Sequence, residues 1–198
     1  MKRPYLFLAA CCCAIPLSFA QAQGLGNFVD AANYSIDFSA NNMGIGGSSE
    51  QMLAQTVTVE AGGTLEGVFL AMGCGTLAGA GKIHVEIHDV AAGGIPGPAV
   101  LAQRAVAPGE LDAPDMRFTY IRIPGALALA AGQQVAIVVR RPKGDDCAMH
   151  ESQLTADYPG GHGFFDARPN PPGWVPFSEF TGTSAATSDD LPFQLVLS

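Results

Sequence analysis

Four groups of residues in this 198-residue chain have types and spacings that could do chemistry. In the first, His84, Glu86 and His88 alternate with Ile83, Val85 and Ile87, so the polar three project from one face of a strand. Neighbours at this spacing lie about 6.5 Å apart and could chelate a metal in pairs, but the outer two are about 13 Å apart. The bland reading of the same face is a solvated polar surface. In the second group, Asp37, Glu60, Asp189 and Asp190 fall near strand ends, where loop carboxylates and carbonyls supply the oxygens that a structural Ca²⁺ requires. No other cofactor is required by any pattern in the chain.

The third group is aromatic. Trp174 and Tyr158 lie in an irregular stretch from Pro142 to Asp190, and Pro171-Pro172-Gly173 gives Trp174 a stiff, extended approach. An exposed ring pair would stack on a sugar, with Asp157, Asp166, Arg168 or Asn170 supplying hydrogen bonds. The competing role for the rings of this stretch, Phe164, Phe165 and Phe177 included, is to close one end of a core. The fourth group is Cys74 and Cys147, the two cysteines left once an export signal is removed. An even count in an exported chain reads as one disulfide. It would close a loop of about 70 residues and stabilise by about 4 kcal/mol in the chain-entropy model.

Catalytic templates fail. His150-Glu151 begins like a zinc-protease helix, but Leu154 stands where the second His is needed. Gly73-Cys74-Gly75-Thr76-Leu77-Ala78 matches a dinucleotide fingerprint in letters, yet it leads into a strand, so no helix N-terminus awaits a phosphate. No serine stands in a G-x-S-x-G elbow. The chain therefore reads as non-catalytic.

The elements that must position these groups are strands. Gly (24) and Pro (14) punctuate a sequence that is 48% hydrophobic, favouring many short elements around a real core. Alternation predicts strands at Tyr34–Phe38, Leu53–Val59, Leu65–Met72, Lys82–His88, Val100–Val106, Met116–Ile123, Gln133–Arg140 and Phe193–Leu197, with a turn at Ala126–Ala131. Gly93 to Pro98 forms a corner, and Asn41 to Ser49 a loop.

Lys2 and Arg3, an apolar run to Phe19 and the small-x-small Ala20-Gln21-Ala22 make residues 1–22 a cleaved signal peptide. The alternative is a lipoprotein cut before Cys11, after Leu8-Ala9-Ala10. It would leave only Tyr5 to Ala10 as the apolar region, shorter than the roughly 7 residues a signal needs. The expected location is periplasmic or extracellular, with no membrane span in the mature chain. Without Lys2 and Arg3, eight basic residues face eighteen acidic ones, a net charge of −10. That balance argues against nucleic acid as a partner. Residues 23–50 are expected to pack on or lead into a sandwich formed by 51–198.

The fold class expected is all-β, an antiparallel β-sandwich of jelly-roll type. An immunoglobulin domain would place its Trp between the cysteines, whereas Trp174 follows both. The phrases Ala54-Gln55-Thr56-Val57-Thr58, Gly94-Ile95-Pro96-Gly97 after the long strand, and Asp190-Leu191-Pro192-Phe193 before the last strand resemble those of jelly-roll modules in secreted bacterial proteins. The resemblance covers about Gln51 to Ser198. It implies a fold like that of carbohydrate-binding modules and a glycan as partner. The alternative is a structural or protein-interaction component of the envelope or matrix, with an envelope protein as partner.

Overall fold

A computed structural model describes residues 26–38, 42–75, 81–111, 115–142, 147–153, 158–166, 173–179 and 190–198. The signal peptide and its cleavage site lie outside the described residues, as do Asp157, Arg168, Asn170 and Asp189.

The described chain is nearly all strand: β1 (Phe28–Asn33), β2 (Met43–Ile45), β3 (Met52–Thr58), β4 (Gly63–Cys74), β5 (Ile83–Val90), β6 (Pro96–Val106) and β7 (Phe118–Arg122) come first. They are followed by β8 (Ala128–Leu129), β9 (Gln134–Arg140), β10 (Cys147–Met149), β11 (Gly163–Asp166), β12 (Val175–Pro176) and β13 (Phe193–Leu197). Two short 3-10 turns, Pro108–Glu110 and Phe177–Glu179, are the helical content of the described residues. One sheet runs β1-β13-β4-β10-β2, with β7 and β8 also on β4; the other runs β12-β11-β3-β9-β5-β6. Every pairing is antiparallel.

The two sheets face each other across one apolar core. Ile83, Val85 and Ile87 of β5, Val135, Ile137 and Val139 of β9, and Val68, Leu70 and Met72 of β4 meet Phe193, Leu195 and Leu197 of β13. These are the alternating positions of the sequence, so period-2 patterning is what puts each strand's apolar face inward. Cys74 and Cys147 stand opposite each other where β4 pairs with β10, and they are bonded across a separation of 73 residues.

The structure departs from the sequence expectations at several elements. The first strand is Phe28–Asn33, not Tyr34–Phe38. The Asn33 side chain accepts the Ser35 N–H at 3.1 Å, a local turn that ends the strand, and Tyr34 and Phe38 are exposed. Thus residues 23–50 contribute strands of their own: β1 pairs with β13, and β2, inside the expected Asn41–Ser49 loop, pairs with β10. Similarly, β6 begins at Pro96, inside the expected corner, because the prolines fall on an edge strand where a missing N–H costs no ladder bond. The expected turn at Ala126–Ala131 contains β8.

Buried polar groups tie the connections to this frame. The Asp30 carboxylate in β1 accepts N–H bonds from Glu60 and Ala61 at 2.7 Å each and from Gly62 at 3.2 Å, fixing the β3–β4 turn. Gly62 has φ +80, and a Cβ there would press on the backbone of Ala131, so the turn requires glycine.

Candidate binding site

The polar face of β5 is part of the outer surface of the six-stranded sheet. His84, Glu86 and His88 lie across from Arg140, Val138 and Ala136 of β9, residue for residue. Because Val135, Ile137 and Val139 point into the core, Arg140 at the end of β9 must point outward, onto Glu86. Its Nε and Nη2 reach Glu86 Oε1 at 2.8 and 2.7 Å. The other oxygen, Oε2, is 2.9 Å from His88 Nε2, and His84 Nδ1 stands 4.0 Å from Oε1.

Although it points away from the core, Glu86 is only 2% exposed. Burial pushes its carboxyl up, but the hydrogen bonds and charges of Arg140 and His88 outweigh that and hold it below the ordinary glutamate value. His88 Nδ1 donates to the Gly97 carbonyl at 2.9 Å. That contact depends on the irregular register of β5 against β6, which folds the Gly97 backbone over the ring. A Cβ on Gly97 would collide with the Asp89 carboxylate, which itself accepts the Ala99 N–H at 2.9 Å.

Trp174 completes the site. It precedes β12, which pairs with β11, and its half-buried ring packs on a second apolar cluster of Ala54, Ala136, Val138 and Phe164. Trp174, Val138, Arg140, Glu86, His88 and Pro98 line one pocket of about 540 Å³. The volume lies within the usual range for small-ligand sites, roughly 300–1,000 Å³. The pocket lining brings together an indole ring and a guanidinium whose orientation is set by a buried carboxylate. Both Glu86 oxygens and both His88 nitrogens already have partners, so neither side chain is placed for proton transfer to a ligand.

Tyr158 is not part of this site. Expected beside Trp174 on an exposed platform, it is a core residue. Its backbone N–H donates to the buried Asp190 Oδ2 at 2.6 Å, which draws the chain inward. Its hydroxyl donates to the Thr58 carbonyl at 3.1 Å, and its ring meets Phe193 edge-on with centroids 5.0 Å apart. Of the sugar-binding set expected from the sequence, Trp174 lines this pocket, whereas Asp166 in β11, like Tyr158, is buried. Arg140, the partner that sequence reasoning missed, was detectable: with Val135, Ile137 and Val139 inward, it is the one charged residue among the outward positions of β9.

The carboxylates expected to hold Ca²⁺ are dispersed among other duties. Asp190 accepts from Gln55 Nε2 at 2.8 Å as well as from Tyr158, and Gln55 in turn accepts the Leu191 N–H at 2.7 Å. Glu60 is exposed beside the turn held by Asp30, and Asp37 donates its backbone N–H to Glu151. Among the described residues, no three His, Cys, Asp or Glu side chains gather as a metal ligand set. On the β5 face, Arg140 takes the Glu86 oxygen that a metal there would need.

A second pocket, of about 460 Å³, lies beside His150 and is also lined by Phe38, Asp115 and Arg117. No helix among the described residues is long and apolar enough to cross a membrane. The chain matches no family model, and no curated protein matches it.

Proposed function

We propose that the chain is an exported, non-catalytic module of jelly-roll type that binds a glycan at the Trp174 pocket. The observation that carries the reading is the joint placement of a half-buried indole and an oriented guanidinium in one pocket on a sheet face. Sugars present apolar C–H faces and hydroxyl edges, and such a pocket meets both: the indole stacks on the ring face while Arg140 donates to hydroxyl or ring oxygens. The strand orders β1-β13-β4-β7 and β3-β9-β5-β6 support the jelly-roll type: these eight strands form a four-stranded set within each sheet, and along the chain successive ones fall in opposite sheets except for the β5–β6 pair. The Cys74–Cys147 bond is in keeping with a periplasmic or extracellular location.

One observation favours a second reading, a structural or interaction component of the envelope. Val100 and Leu101 are exposed on β6, an edge strand 11 residues long, and such an edge offers a free ladder to another protein. A glycan array probed with the mature chain, with and without Ca²⁺, separates the readings. The glycan reading expects binding of about 10 μM to 1 mM to short oligosaccharides, unaffected by chelation because among the described residues no three His, Cys, Asp or Glu side chains gather as a metal ligand set. An array with no hits would favour the envelope role.

A further inference from the structure

Arg141 follows β9 directly, and where Arg140 points out, Arg141 points in. Arg141 is 2% exposed. Nη1 donates to Cys147 Sγ at 2.9 Å, and among the described residues Nε meets no acceptor. Among the described residues no carboxylate pairs with it. A buried cation is ordinarily matched by an anion, because desolvation is costly without one. A disulfide sulfur is a weak acceptor, whereas a thiolate carries a full negative charge. Among the described residues, the guanidinium therefore has its best partner when Cys147 is reduced.

We propose that the Cys74–Cys147 disulfide is a thiol–disulfide exchange site for a dithiol, with Cys147 as the leaving sulfur, held as a thiolate by Arg141. Of the two cysteines, Cys74 is the more accessible, 8% exposed against 1% for Cys147. A thiolate of the dithiol attacks Cys74 Sγ. The S–S bond breaks, and its electron pair leaves on Cys147 Sγ beside the guanidinium. The second thiol of the dithiol, deprotonated, then attacks its own sulfur in the mixed disulfide, and Cys74 departs as a thiolate that takes up a proton from solvent. Two electrons pass to the protein, and the dithiol closes to a disulfide. Access is helped by the small size of the element: β10 has three residues, and its neighbour β2 also has three, so few ladder bonds must open.

The inference is independent of the glycan reading, and its test uses a different readout. The folded chain is equilibrated with mixtures of reduced and oxidised dithiothreitol, quenched by alkylation and weighed by mass spectrometry. Arg141→Met is expected to shift the equilibrium about tenfold toward the disulfide, while Arg141→Lys stays near the wild type. An unchanged equilibrium in a folded Arg141→Met protein would overturn the proposal. Should that variant fail to fold, the wild-type chain decides. Brief exposure to glutathione followed by acid quenching is expected to leave the adduct on Cys74 and the free thiol on Cys147. An adduct on Cys147 would show that the wrong sulfur had been assigned.

Discussion

Glu86 and Glu151 are both buried, and their surroundings treat them in opposite ways. On the outer face of the six-stranded sheet, two bonds from Arg140 and one from His88 meet the Glu86 carboxylate and hold its pKa down. Just beyond β10, burial pushes the Glu151 carboxyl up, and the charge of Asp37 adds to the shift. The same neighbourhood contains His150, whose two ring nitrogens are buried without a hydrogen-bond partner among the described residues, with Phe38 packed edge-on against the ring. One region has its buried polar groups matched within the chain, which fixes their geometry in advance. The other holds unmatched polarity, which lowers stability and leaves the ladder around β10 easier to open.

The contrast breaks most visibly when one member of the matched set is removed. Arg140→Met would leave the Glu86 carboxylate buried without its main partner, and urea unfolding is expected to show a loss of about 3 kcal/mol. Adding Glu86→Gln to that variant should recover much of the loss, because the stranded charge is gone. A single substitution that costs nothing would mean that the pair is not a matched buried unit. In the other region the sign reverses. His150→Phe keeps a ring against Phe38 and removes two unsatisfied nitrogens, so a gain of about 1 kcal/mol is expected from the same measurement.

The dependence on pH sharpens the comparison with smaller effects. Glu86 has a depressed folded pKa, so its stabilisation is present above the unfolded glutamate value and is lost as pH falls through the folded value. Glu151 has a raised folded pKa, so its contribution is present below the unfolded value and is lost as pH rises through the folded one. Glu151→Gln should therefore stabilise the protein at neutral pH and lose that advantage on acidification. Melting curves across the acidic range check this, and a gain that is constant with pH would contradict it.

The matched region was partly legible in the sequence because its strands alternate cleanly. Ile83, Val85 and Ile87 declared the inward face of β5 and so placed His84, Glu86 and His88 outward together. The disulfide was legible from the cysteine count. What the sequence hid depends on long-range partners. Tyr158 is drawn into the core by Asp190, 32 residues away, and Asp30 finds its partners in the β3–β4 turn, 30 to 32 residues on. Strands such as β2, β8, β10 and β12 are two or three residues long, too short for alternation to show. Trp174 was singled out for its Pro-Pro-Gly approach, while the arginine beside it looked like the end of an ordinary strand.

The account rests above all on Trp174 as a ligand-binding ring. Calorimetric titration of wild type and Trp174→Ala with a short oligosaccharide identified on an array tests it most directly. The ring is half-buried on a small cluster of the outer face rather than in the main core, so the melting temperature of the variant should stay within about 5 °C of the wild type. The predicted result is loss of measurable binding in that folded variant. Binding that survives Trp174→Ala with unchanged affinity, or a variant that unfolds as though the ring belonged to the central core, would contradict the account.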